Sequence, residues 1–198
     1  HRVSEIGGRV GRPATSLSRP LDRLIGMGLI RREQPFGDPE RGGKRSLYRI
    51  VGSFFRLWFR VVAPHRALLA GANARARRAL LERHWTSLLA AAWEDLCRAY
   101  GPRAGALAKS EWGTSRRWWS GAAPEWDLVA ESARGRALLL GEAKWSERPL
   151  TSGALDRACR ELESRPGPTL GPRYESHGRV RALFVVDLAR GVRRPKNG

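Results

Sequence analysis

Between Arg117 and Trp145 the chain reads RWWSGAAPEWDLVAESARGRALLLGEAKW, and no other stretch limits its fold so tightly. Two turn-forming clusters, Ser-Gly-Ala-Ala-Pro and Glu-Ser-Ala-Arg-Gly-Arg, cut it into three apolar runs too short for helices. The first run ends at Trp118-Trp119, the second covers Glu125 to Ala130 and the third covers Ala137 to Trp145. Three consecutive strands joined by short turns are expected. A helix over Ser152 to Glu163 and an apolar strand over Arg181 to Leu188 follow. With the amphipathic segment Trp85 to Tyr100 ahead of them, the predicted order is α-β-β-β-α-β.

The third strand carries the residues with the most chemistry. Glu142 and Lys144 are two apart, so a pleated strand turns both to one face. Leu139 and Leu140 run into Gly141, where a ligand or another backbone finds room to approach. Asp127 lies on the preceding strand, and a hairpin brings it beside Glu142. Two carboxylates at one end of a sheet repel unless a cation joins them. Oxygen ligands of this kind suit Mg²⁺ (or Mn²⁺), which keeps several waters and takes one or two carboxylates. Such an ion polarises a phosphoryl oxygen and acidifies its water, while Lys144 positions or activates that nucleophile. Glu94, on the helix before the strands, is a candidate further ligand to the metal or its water. A bare Glu-x-Lys contributes only about 0–1 kcal/mol as an exposed ion pair. Here it closes an otherwise apolar strand and follows an Asp one hairpin earlier.

The first fifty residues follow a different pattern. Ser4 is expected to cap a short helix reaching Val10, and Gly11-Arg12-Pro13 to turn the chain. A second helix carries Leu17, Leu21 and Leu24 on one face and ends near Gly26 or Gly28. Strands beginning at Leu29 and Ser46 flank a turn-rich stretch. Helix, turn, helix and two-stranded wing is the winged helix-turn-helix order, in which the second helix enters the major groove and the wing reaches phosphates. Arg12, Thr15, Ser16, Arg19 and Arg23 would line that helix, and Lys44 and Arg45 the wing. Pro20 fits only in the first turn of the helix, with Ser16 or Ser18 as its cap.

Residues 52–83 read as a helical linker rich in aromatics, from Phe54 to Val62, whose rings are expected in the core. Charge points outward. The chain holds 37 Lys plus Arg against 19 Asp plus Glu, a net +18, which favours a polyanion such as nucleic acid. The quarter from residue 101 to 150, with 8 basic and 6 acidic groups, is the most nearly neutral, as a cation site in a basic protein requires. Cys97 and Cys159 form no C-x-x-C pair, which excludes the common zinc and redox motifs. No membrane-length apolar run and no secretory signal occur, so a cytoplasmic protein is expected. His65, His84 and His177 lack a patterned acid partner, which leaves no competing hydrolase arrangement.

D-x₁₄-E-x-K within α-β-β-β-α-β resembles the PD-(D/E)XK nuclease superfamily. The segments LDRLIGMGLIRR, SLYRI, FFRLWFRVVAP, WEDLCRAY, RWW, EWDLVA and GEAKW, in that order, resemble more narrowly the C-terminal region of a family of archaeal and bacterial P-loop ATPases of unknown function. That resemblance implies an α+β chain: a winged helix-turn-helix at 1–51, the linker at 52–83 and a nuclease-like domain at 84–198. It also implies that the ATPase portion lies upstream of His1, since no G-x-x-x-x-G-K-[ST] occurs in these residues. The family's usual Glu-Ile-Asp reads Glu125-Trp126-Asp127 here, which changes the packing beside Asp127. The implied activity is Mg²⁺-dependent DNA cleavage by Asp127, Glu142, Lys144 and Glu94, the metal held by Asp127 and Glu142. The alternative is a non-cleaving DNA- or protein-binding accessory module of such an ATPase. A transcriptional regulator using the winged helix alone would leave the second half without a task.

Overall fold

The computed structural model describes residues 1–39 and 45–192. It is a mixed α and β chain with two small sheets, and it divides into two compact units, His1–Leu88 and Leu89–Gly198.

In the first unit, α1 (Val3–Val10) ends at Gly11, whose φ of 66° is a left-handed conformation that glycine adopts without strain. The Arg12 amide then reaches back to the Gly7 carbonyl at 3.0 Å. The approach is so close that a Cβ on Gly7 would lie 2.7 Å from the Arg12 oxygen. Ser4 does not cap this helix. The N-cap is Arg2, because the His1 carbonyl accepts the Tyr48 amide and the Arg2 carbonyl accepts that of Ile6, which starts the helix earlier.

A 3₁₀ turn, Ala14–Leu17, leads straight into α2 (Ser18–Gly26). Pro20 is the third residue of α2, within the first turn, so its missing amide interrupts no helical bond. Neither Ser16 nor Ser18 caps it: Leu17 is the N-cap, and the Ser16 hydroxyl donates to the Pro13 carbonyl at 2.8 Å. Leu17 and Leu21 are buried. The strands β1 (Ile30–Glu33) and β2 (Leu47–Ile50) pair antiparallel, Ile30 opposite Ile50 and Glu33 opposite Leu47.

After β2 come α3 (Ser53–Leu57), a π-helical turn at Trp58–Val62, a 3₁₀ turn at Ala63–His65 and α4 (Arg66–Gly71). The aromatic rings here are not core. Phe54 is 65% and Phe59 57% exposed, and no residue of α3 is buried. The wider π turn breaks the 3.6-residue period that would have gathered them on one inward stripe. Phe54 instead stacks on Trp58, with centroids 6.3 Å apart. Then α5 (Ala74–Tyr100) runs for 27 residues as one helix where two were expected. No Gly or Pro interrupts it, and Asn73 Oδ1 accepts the Ala76 amide at 2.9 Å at its start.

The second unit, which includes the end of α5, has a four-stranded sheet. Its strands are β3 (Arg116–Trp118), β4 (Trp126–Glu131), β5 (Ala137–Lys144) and β6 (Gly178–Val185), side by side in that order. The first three are antiparallel neighbours. β5 and β6 are parallel, which requires a crossover, and α6 (Ser152–Ser164) provides it. The expected order of elements is thus observed. Leu128, Ala130 and Leu139 form a fully buried cluster on one face, against which Leu107, Trp112, Ala182 and Phe184 pack. By the two-residue alternation of strands, Leu138, Leu140, Glu142 and Lys144 share the other face. Contacts from Glu161 and Arg165, in and just after α6, reach that face, and α6 buries Leu155, Ala158 and Leu162.

Candidate active site

The β4–β5 ladder pairs Leu128 with Gly141 as its last rung, and the same register carried one residue further sets Asp127 across from Glu142. Beyond that rung the Asp127 side chain takes over from the main chain. Its Oδ2 accepts the Ala143 amide at 3.0 Å, while its carbonyl accepts Arg98 Nη1 at 3.0 Å. Its carbonyl and one of its two carboxylate oxygens therefore fix its place. Trp126, beside it, is completely buried, and its indole donates to the Pro166 carbonyl at 3.2 Å. The Glu-Trp-Asp sequence is accommodated by that indole bond.

Glu142 is half-buried at the carboxyl end of β5. Its Oε2 accepts Arg165 Nη1 at 2.5 Å. Burial pushes its carboxyl above the ordinary glutamate range; Arg165 opposes that rise and the neighbouring Asp127 adds to it. The two carboxylates therefore sense one another, and Asp127 and Glu142 form the acidic pair at the end of the sheet. Lys144 projects from the same face of β5. It is 44% exposed and lies 3.4 Å from Glu161 of α6. Glu94 sits two turns before the end of α5, 3.9 Å from Arg98, which also pairs with Asp95 at 2.5 Å. Its link to the pair runs through Arg98 to the Asp127 carbonyl.

Three of the four expected residues, Asp127, Glu142 and Lys144, thus share one end of the β4–β5 hairpin. Among the described residues, no three His, Cys, Asp or Glu side chains converge as a metal-binding group. The donor set present is two adjacent carboxylates, half-buried and mutually repelling. That set fits a hard cation such as Mg²⁺, which takes one or two carboxylates and keeps its waters.

In the first unit, Arg12, Thr15, Ser16, Arg19 and Arg23 are all exposed. Arg19 and Arg23 are one turn apart on α2. Arg45 pairs with Asp38. Lys44 lies outside the described residues.

Sequence reasoning did not find Arg165, Arg98 or Glu161. Arg165 precedes Pro166, where a helix has to end, and that was its only local signal. Its partner Glu142 is 23 residues away.

A family model described as archaeal and bacterial proteins of unknown function matches residues 58–158, just over half of the chain. The chain belongs to this family, DUF234. The family match includes Glu94, Asp127, Glu142 and Lys144 and stops before Arg165. No curated protein and no solved structure matches the chain. No helix among the described residues is long and apolar enough to cross a membrane.

Proposed function

We propose that this DUF234 chain is a metal-dependent DNA nuclease module of the PD-(D/E)XK type. The observation that carries the reading is the placement of Asp127 and Glu142 on neighbouring strands, with Lys144 two residues beyond on the same face. Asp127 and Glu142 would hold Mg²⁺ or Mn²⁺ through their carboxylate oxygens. When bound, the cation supplies Lewis acidity at a phosphoryl oxygen and acidifies a water. Lys144, held only weakly by Glu161, would be the residue that positions the attacking water. Asp127, anchored by Ala143 and Arg98, would present its carboxylate to the ion from a fixed position. Glu94 acts as a positioning residue by steadying Arg98.

The helix, helix and hairpin of the first unit serve in this reading as a winged helix-turn-helix that docks duplex DNA. The exposed Arg12, Thr15, Ser16, Arg19 and Arg23 are its contacts, and Arg45 and Lys44 belong to its wing. The net charge of +18 supports a polyanionic partner. By resemblance, the module works beside a P-loop ATPase portion of the same polypeptide in the cytoplasm.

A second reading is a non-cleaving DNA- or protein-binding accessory module. It is favoured by one observation: α6 and the residue after it already engage both Lys144 and Glu142, through Glu161 and Arg165. Incubation of plasmid DNA with the chain and Mg²⁺ or Mn²⁺, with EDTA as control, separates the two. Metal-dependent cutting that Asp127→Ala abolishes supports the nuclease; binding without cutting supports the accessory module.

A further inference from the structure

Arg165, the first residue after α6, is fastened on several sides. Its Nη1 donates to Glu142 Oε2 at 2.5 Å and to the Glu125 carbonyl at 3.0 Å. Its guanidinium carbon lies 5.2 Å from the centre of the Trp126 ring, within the range of a cation–π contact. Its own carbonyl accepts Arg181 Nη2 at 3.0 Å, and the next carbonyl, of Pro166, accepts the Trp126 indole. The main chain at 165–166 is thereby bound to β6 and β4, and the side chain reaches from there to the acidic pair.

Two carboxylates in a half-buried position need a counter-charge, and this guanidinium supplies one. It does so through Glu142 Oε2, on a carboxylate that would also have to hold any divalent ion shared with Asp127. Guanidinium and metal ion therefore compete for the same carboxylate. The guanidinium has somewhere to stay when it lets go, because the Trp126 ring and the Glu125 carbonyl also hold it. We propose that Arg165 is the resident counter-cation of the Asp127–Glu142 pair, and that a divalent ion binds by displacing it from Glu142. The inference rests on the metal-site reading above, and it makes Arg165 the residue that sets how much metal the site demands.

The test is calorimetric titration of the full chain with Mn²⁺ at fixed salt, for wild type, Arg165→Gln and Glu142→Gln. Removing a competing charge from a partly exposed pair should tighten Mn²⁺ binding to Arg165→Gln by roughly three- to tenfold, whereas Glu142→Gln should lose it. A second measurement needs no variant. In wild type, the Arg165 side-chain ¹⁵N–H signal should be slow to exchange without metal and exchange faster as Mg²⁺ saturates the site. If wild type binds Mn²⁺ but Arg165→Gln binds it equally or more weakly, or the Arg165 signal keeps its protection, the displacement is wrong and the metal site stands. If wild type binds no Mn²⁺, or Glu142→Gln binds as well as wild type, the metal site itself is wrong and the displacement goes with it.

Discussion

Asp127 Oδ2 accepts the Ala143 amide at 3.0 Å, one step past the last main-chain rung between Leu128 and Gly141. A side chain thus continues the ladder and, in the same geometry, stands next to Glu142. Structural and functional roles of Asp127 can be separated. Asp127→Ala leaves the Ala143 amide without that acceptor and should destabilise the second unit by about 1–2 kcal/mol. Asp127→Asn keeps an acceptor and should cost less than half as much, yet bind Mn²⁺ as poorly as the alanine variant. Urea unfolding followed by tryptophan fluorescence, with Mn²⁺ titration alongside, measures both. Equal destabilisation by the two substitutions would contradict the assignment.

Burial and then Asp127 raise the Glu142 carboxyl, with Arg165 pulling the other way. A carboxyl that holds its proton more tightly when folded adds stability that is fully present below the unfolded glutamate value, about 4.3. That contribution is lost as pH rises through the higher folded value. Stability of wild type relative to Glu142→Gln should therefore fall as pH climbs from about 4. Mg²⁺ should restore it in wild type alone. Parallel pH profiles of the two proteins, without metal, would refute this.

Cys97 is buried on α5, and its thiol is pushed up to about 12, mainly by burial and next by the charge of Asp127. Cys159 is less buried, and burial raises its thiol too. A disulfide reagent at pH 8 should label Cys159 first and Cys97 only on unfolding. Simultaneous labelling of both would place Cys97 in a looser environment than the one described.

Gly141 permits a close approach. A Cβ there would lie 2.8 Å from Phe184 Cε2 and 3.1 Å from Leu128 Cβ. Gly141→Ala should cost about 1–3 kcal/mol, as overpacked cores do. Phe184→Leu should recover part of that loss in the double variant, a coupling visible in a double-mutant cycle. Additive losses would show that Phe184 is not the obstacle.

Much of the second unit was legible because its signals are local. The SGAAP and ESARGR turns mark the ends of β4, and the step of two between Glu142 and Lys144 places them on one face. What stayed hidden is either long-range or a matter of irregular backbone. Arg165 meets Glu142 across the β5–α6 connection, and no local pattern records that meeting. Phe54 and Phe59 are exposed, before and within the irregular π turn at Trp58–Val62, although their sequence looks like core. No Gly or Pro breaks α5, so the two helices expected there are one.

Arg19 and Arg23 are exposed one turn apart on α2. If they meet phosphates, Arg19→Ala and Arg23→Ala should each weaken duplex binding at every sequence tested and reduce the salt slope by about 1. Fluorescence anisotropy across a salt series measures this. Unchanged slopes would exclude α2 from the DNA contact.

Lys144→Ala is the variant that probes phosphodiester cleavage at the end of the β4–β5 hairpin. Lys144 is half-exposed, with one weak partner in Glu161, so its loss should leave folding and DNA binding intact. Cleavage of labelled duplex DNA in Mg²⁺ or Mn²⁺ is predicted for wild type. A fall of at least about a hundredfold is predicted for Lys144→Ala at unchanged DNA affinity. DNA binding by wild type without cleavage in either metal, or equal cleavage by Lys144→Ala, would contradict the account.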